Sequence, residues 1–286
     1  MSVTRFAPAK VNLYLHVGPP LPDGRHPLDS LVVFAGDAGD VVTATSADAL
    51  SLTIAGPFSA GLTVGDDNLV MRAARLLADH AGTAPRAALH LEKNLPIASG
   101  IGGGSTDAAA ALHALNTLWN AQADVDDLAR LSAQLGADLP ACVYARTAMM
   151  RGTGEQTEPV AFPALHAVLA NPGVEAATGA VYRTFDAMKL GAPFGTTGTP
   201  PGDAAAARAW LSRQRNDLEA PALQVAPLIG DVLSLLKARA PGALVRMSGS
   251  GATCFVLVNN AVAAAALASE VAAARPDWWV RATTLG

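Results

Sequence analysis

The sequence predicts a two-domain α+β protein with antiparallel or mixed sheets and packed helices, and three observations lead there. Strand-like segments crowd the first third of the chain. From residue 68 the apolar period changes to that of helices. Beyond residue 163 helices and strands alternate without the regular βαβ rhythm of a parallel sheet. With 286 residues, 51% of them hydrophobic, the chain can build two cores of ordinary size.

Residues Val11–Val17, Leu31–Ala35, Asp40–Thr45 and Leu50–Ile54 carry β-branched or alternating apolar residues between turn signals and read as strands. Asn68–Ala81 sets Leu69, Ala73, Leu76 and Leu77 on one helical face, and Ala87–Glu92 alternates like a strand. A helix starting near Ser105 shows Ala108, Leu112, Leu115 and Trp119 at spacings of three and four, and another covers Val125–Leu135. Gly152–Pro163 is polar and turn-rich, which places a domain boundary there, dividing residues 1–155 from 156–286. Beyond it Ala167–Ala170 reads as a short buried strand. Helices are expected over Gly179–Met188, Ala204–Arg213, Pro227–Ala238 and Ala261–Ala274, and strands at Leu244–Ser248, Cys254–Val258 and Trp278–Thr283. The Gly-, Pro- and Thr-rich segment Lys189–Gly202 reads as a mobile surface loop.

The segment Leu95–Asp107 places a glycine run directly before a helix. Gly100, Gly102, Gly103 and Gly104 lack a Cβ, so the backbone can turn through positive φ and approach an anion closely. The first N–H groups of the helix have no intrahelical partner, and its dipole adds partial positive charge, so a polyphosphate finds oriented donors there. Ser105, Thr106 and Asp107 also suit a cap or first turn. The loop is not a P-loop, because the chain contains no Gly-Lys pair. It is not a dinucleotide fingerprint either, since Ser105 stands where the third glycine is required. A plain turn between strand and helix is the competing reading.

A net charge of −4 and the absence of Lys/Arg runs argue against a nucleic-acid surface. Cys142 and Cys254, the two cysteines, lie far apart in apolar runs and read as buried free thiols. The N-terminal residues show no basic region followed by an apolar core, so the cytoplasm is the expected compartment. Ala261–Ala274 is too short and too polar to span a bilayer.

Four segments recur in a set order: Ala7-Pro8-Ala9-Lys10-Val11-Asn12, the glycine loop, Gly136-Ala137-Asp138-Leu139-Pro140, and Ser248-Gly249-Ser250-Gly251-Ala252. In order and spacing they resemble the GHMP kinase family, and the resemblance covers nearly the whole chain, most weakly over 189–202. It implies a two-domain kinase with its active site in a cleft between the domains. Phosphoryl transfer needs an oriented hydroxyl and a neutralised polyphosphate. The resemblance assigns Asp138 to accept the hydroxyl proton and Lys10 to keep that carboxylate ionised and stabilise charge near the transferred group. Taken singly, Lys10 also reads as a charge at a strand end and Asp138 as a turn residue before Pro140.

The same resemblance implies an ATP site formed by Pro96, Ile97, Ala98, Ser99, Gly100, Ile101, Gly102, Gly103, Gly104, Ser105 and Thr106 at the phosphates. It adds Asn68 at the base and Lys93 near the base or ribose; Asn68 equally fits the N-cap of its own helix. Mg2+ is implied with ATP, held largely by phosphates and water, with no protein ligand assigned. Asp23-Gly24-Arg25-His26 and related cues imply an acceptor linked to cytidine diphosphate, a methylerythritol unit, with the cytosine read by Arg25, His26 and Tyr182. Asn12 is placed at the polyol end and Thr178 on the cytidine side. Arg25 stands where the family usually has tyrosine, and a planar guanidinium can also stack on a base. Ser248–Ala252 is expected to pack by the active site or to form a tight turn, and Asn216-Asp217-Leu218 to cap a helix. The implied partners are these two small molecules, without nucleic acid or membrane, for a monomer or weak homodimer. A homoserine- or mevalonate-type kinase of the same family, and a non-catalytic nucleotide-binding module, are the alternatives.

Overall fold

The computed structural model describes residues 1–286. Its elements are β1 (Ser2–Val17), β2 (Leu28–Thr45), β3 (Ser51–Ala55), α1 (Leu69–Ala81), β4 (Ala88–Glu92), α2 (Gly103–Trp119), α3 (Val125–Ser132), α4 (Leu139–Tyr144), β5 (Ala148–Arg151) and β6 (Gln156–Pro159). They continue with β7 (Leu165–Asn171), α5 (Thr178–Ala187), α6 (Ala204–Leu211), α7 (Glu219–Val225), α8 (Leu228–Arg239), β8 (Val245–Met247), β9 (Cys254–Val258), α9 (Ala261–Ala274) and β10 (Trp279–Leu285). The chain forms two compact units, each assembled from separate stretches. The first contains Met1–Ala9, Gly39–Ile97 and Gly102–Ala145, the second Lys10–Ala38, Ala98–Ile101 and Arg146–Gly286. The long strands β1 and β2 each begin in one unit and end in the other, so the position 155/156 falls inside the second unit.

In the first unit β4 pairs antiparallel with residues 41–45 of β2 and parallel with β3. The parallel pair requires a crossover, which α1 supplies. Asn68 caps α1 by accepting the N–H of Val70, and Gly82 ends it in the left-handed conformation. Helix α2 is lined by small residues, with Ala108, Ala109, Ala110, Ala111 and Ala114 all buried beside Leu112 and Leu115. It packs closely against α1 and α4. It starts two residues before Ser105, because Gly102 takes the left-handed conformation that turns the chain into it. The core joins these helices to Val42, Ala44, Leu89 and Leu91.

In the second unit β10, β7, β9 and β8 form an antiparallel series, and β5 pairs with both β2 and β6. Its core gathers Phe185, Val181, Ile229, Val232, Leu236, Met247 and Val256. The Lys189–Gly202 segment has no helix or strand, as its composition predicts. It is nevertheless fastened, because the Thr197 hydroxyl lies 2.5 Å from Tyr14 Oη and its N–H donates to Asp29 at 3.1 Å. Four short elements, α4, β5, β6 and α7, were not assigned from sequence, although α7 follows the Asn216-Asp217-Leu218 turn that was expected to cap a helix. Pro140 and Pro221 read as breakers but sit in first helical turns, where proline is tolerated, and β6 is mostly exposed. Cys142 and Cys254 are free and buried. No helix is long and apolar enough to cross a membrane.

Candidate functional site

The centre of the glycine loop belongs to the second unit, and its backbone is held there carbonyl by carbonyl. Ala98 O accepts from Ala176 N–H at 3.2 Å and Ser99 O from Thr253 N–H at 3.0 Å. Gly100 O accepts from the Ser248 hydroxyl at 3.0 Å, and Ile101 O from Lys10 N–H at 2.8 Å. Four successive carbonyls are thus turned into the protein, an orientation that suits a loop meant to present N–H groups to an anion. At Gly100 φ is +73° and an added Cβ would lie 2.4 Å from Ser248 O, so no other residue fits without displacing backbone.

The loop flanks and the helix that follows belong to the first unit. Helix α2 has Gly102 at its N-cap and no side-chain cap hydrogen bond, whereas Asn68, Asp124, Asp203 and Asn260 cap α1, α3, α6 and α9. An anion at that end therefore meets donors that no side-chain cap has taken. Asp138, half-buried at the start of α4, lies with Oδ1 3.4 Å from the Ser105 hydroxyl, which donates to it. Pro140 follows in the first turn and holds α4 away from the preceding residues. Asn68 is engaged at both ends of its amide, accepting from Val70 N–H at 2.9 Å and donating to Thr63 O at 2.7 Å.

Lys93 is only 3% exposed. Its ammonium donates to Asp40 Oδ2 and, at 2.8 Å, to Asp107 Oδ2. Burial works against the charged ammonium, but the two carboxylates outweigh it and hold the lysine above its usual range. Two carboxylates share one cation, so one is in surplus. Burial first, and the charge of Asp40 second, push Asp107 up to about 8 against the pull of Lys93. Asp107 is not placed to reach a metal ion, being 2% exposed and tied to Lys93. No group of three or more His, Cys, Asp and Glu residues forms a metal cage.

Lys10 is 6% exposed on β1 of the second unit, and its charge acts on Tyr182, whose phenol burial raises to about 12. Asn12, beside it, donates its N–H to Ser248 Oγ at 3.0 Å and its amide to Ser30 Oγ at 2.8 Å. His26 donates from Nδ1 to Gly18 O at 2.9 Å, and its ring lies 5.1 Å from that of Tyr182 and 5.5 Å from that of Phe185. Its Nε2 is buried without a hydrogen bond, 3.4 Å from Asp186 Oδ1. Arg25 has an exposed side chain held by Asp23 at 2.7 Å and by the Thr153 hydroxyl at 2.9 Å. These bonds occupy the edges of the guanidinium and leave its faces for a planar ligand. Thr178 Oγ1 lies 3.0 Å from Ser250 Oγ.

Asp40 and Thr253 were not singled out from sequence, whereas Ser248 and Asn216 were named only as members of a glycine segment and a turn. Asp40 carries no motif; its role comes from a buried carboxylate that meets residues more than fifty positions away. Ser248 and Thr253, in or next to the third glycine segment, brace the first, which explains why both segments are rich in glycine and serine. Asn216 supports that segment by donating to Met247 O and Gly249 O, each at 2.8 Å, and accepts the N–H of Leu218 just before α7.

Comparison with known proteins places these features in a family. The model of the GHMP kinases N terminal domain matches residues 68–146 and that of the GHMP kinases C terminal residues 201–277. A 4-diphosphocytidyl-2-C-methyl-D-erythritol kinase of Hyphomonas neptunium is 50% identical, covering 100% of this chain and 97% of its own. One from Caulobacter vibrioides is 48% identical with 98% of each covered. A crystal structure of 4-(cytidine 5'-diphospho)-2C-methyl-D-erythritol kinase matches with a TM-score of 0.79 and 35% identity, covering 99% of both chains. A homoserine kinase from Cytophaga hutchinsonii shares the fold, with a TM-score of 0.74 at 19% identity over 99% of this chain and 94% of its own.

Proposed function

The chain belongs to the GHMP kinase family, and on that premise we propose that it transfers the γ-phosphoryl group of ATP to the 2-hydroxyl of 4-diphosphocytidyl-2-C-methyl-D-erythritol, a step toward isoprenoid precursors. The observation that carries the kinase reading is the glycine loop, its carbonyls anchored, leading into a helix without a side-chain cap. Residues Pro96–Thr106 hold the phosphates, and Asn68 lies at the base while capping α1. The acceptor oxygen forms a bond to the γ-phosphorus as the bond to ADP breaks, and the hydroxyl proton passes to Asp138. Lys10 stabilises the charge on the transferred group. Magnesium, bound with ATP, neutralises phosphate charge.

The cytidine end is proposed to lie at His26, Tyr182 and Arg25, with Asn12 at the polyol and Thr178 on the cytidine side. Nδ1–H of His26 is committed to Gly18 O, which leaves Nε2, 3.4 Å from Asp186 Oδ1, as the ring nitrogen proposed to meet the edge of the cytosine. Arg25→Ala is expected to raise the KM for the cytidyl substrate about tenfold, the scale of one stacked base, while kcat and the KM for ATP stay near wild type. An unmoved KM for that substrate would remove Arg25 from the base site.

The reaction is tested by ADP release from purified protein with the cytidyl alcohol, homoserine or mevalonate as acceptor. Turnover confined to the cytidyl alcohol and inhibited by CMP is the expected result. Turnover with another acceptor would assign the protein to a different branch of the family. ATP binding without turnover on any acceptor would favour a non-catalytic module.

A further inference from the structure

We propose that Asp40, Lys93 and Asp107 form a buried positioning triad that sets the separation of the two ends of the glycine loop, and so the fit of a polyphosphate, without touching the nucleotide. It rests on the nucleotide reading above and concerns residues of one compact unit. Asp40 is 0% exposed in β2, and its Oδ1 accepts the N–H groups of Asn94 at 2.6 Å and Leu95 at 2.8 Å, where the chain enters the loop. Its other oxygen takes the Lys93 ammonium, which also holds Asp107 in the early part of α2, where the chain leaves the loop. One cation therefore ties entry to exit.

Gly103, the first residue of α2, lies directly against this cation, since a Cβ there would stand 2.9 Å from Lys93 Nζ and 3.5 Å from Asp40 Oδ2. A backbone stacked on the ammonium moves when the ammonium moves. Burying two acids and a lysine together is a costly way to hold two segments, because apolar residues of similar size usually stabilise as well or better. What the polar groups add is direction: Asp40 fixes the N–H groups of Asn94 and Leu95 at the loop entry, and Lys93 fixes the Asp107 side chain at its exit. Asp107 Oδ1 is buried with no hydrogen-bond partner, so this carboxyl is held by Lys93 through its other oxygen. The sequence suggested Lys93 near the base or ribose; both of its contacts here are instead with carboxylates that frame the loop.

The test is equilibrium binding of ADP and AMP to the full-length protein, comparing wild type with Asp107→Ala, Asp107→Asn and Lys93→Ala. Both nucleotides contain base and ribose, and ADP adds the phosphate that the loop would hold. Asp107→Ala is expected to weaken ADP about tenfold or more, because small misplacements of positioning groups are costly, while AMP stays within about twofold. Asp107→Asn keeps an acceptor for Lys93 and should restore ADP binding to within about threefold of wild type. A merely structural role would lower thermal stability without changing the preference for ADP over AMP. Unchanged ADP binding in Asp107→Ala, or equal weakening of both nucleotides, would overturn the triad. So would equal weakening by Lys93→Ala, which would put Lys93 on the base or ribose. If Lys93→Ala does not fold, the two Asp107 variants decide. Wild-type protein that binds neither nucleotide would defeat the nucleotide reading itself, whereas intact wild-type binding with unaltered Asp107→Ala binding defeats only the triad.

Discussion

Asp138→Asn is expected to lower kcat by about 10²- to 10⁴-fold, the range associated with a single proton-accepting group, and to leave ATP affinity within about threefold. Asparagine has the shape of aspartate and keeps an acceptor for the Ser105 hydroxyl, but it cannot take the proton of an alcohol. The fold should tolerate the change. Asp138 makes no side-chain cap bond to α4, and Pro140 still sets the first turn of that helix. The loss should therefore lie in the chemical step, visible in single-turnover experiments with ATP and acceptor both bound. A kcat equal to that of wild type would exclude Asp138 from the transfer.

Gly100→Ala should damage the fold and the phosphate site together. The left-handed backbone at φ +73° costs an L-residue about 1–2 kcal/mol. The added methyl would meet backbone atoms of Ser248 and Gly251 at 2.4 and 2.7 Å, and forcing such a contact costs about 1–3 kcal/mol more. A loss of about 2–5 kcal/mol is a large part of the stability of a typical protein, so the melting temperature should fall by about 5 °C or more. ATP affinity should fall with it, because the displaced backbone is the one that would face the phosphates. Gly104→Ala is the internal control. Its Cβ would stand 3.7 Å from Leu69, an ordinary contact, and alanine favours the helix it would join. Equal melting temperatures for Gly100→Ala and wild type would show that the close packing around Gly100 is not required.

Much of the molecule was legible in the chain because the relevant physics is local. Periodicity marked α1 and α2, and β-branched or alternating runs marked most strands, since one buried face leaves a repeating pattern. The glycine run marked a segment whose backbone makes close approaches, because only glycine allows them. Short elements were not legible. The six residues of α4 are too few to repeat a helical pattern although Leu139, Ala141, Cys142 and Val143 are buried, β6 is mostly exposed, and their prolines read as breaks. The two long strands appeared as shorter segments; in β2 the break is Gly36-Asp37-Ala38-Gly39, where glycines and an aspartate interrupt the apolar run.

What the sequence determined by itself was the family, with the glycine loop and Lys10, Asp138, Arg25 and His26 as candidates, all read from contiguous motifs. Only the tertiary structure decided how those motifs are supported. Asp40 reaches Asn94 and Leu95 across more than fifty residues, and Ser248 reaches Gly100 across 148. The tertiary structure likewise placed Lys93 between two carboxylates. The physical reason is that a buried polar group must find its partners wherever the fold brings them, and sequence separation carries no trace of that pairing.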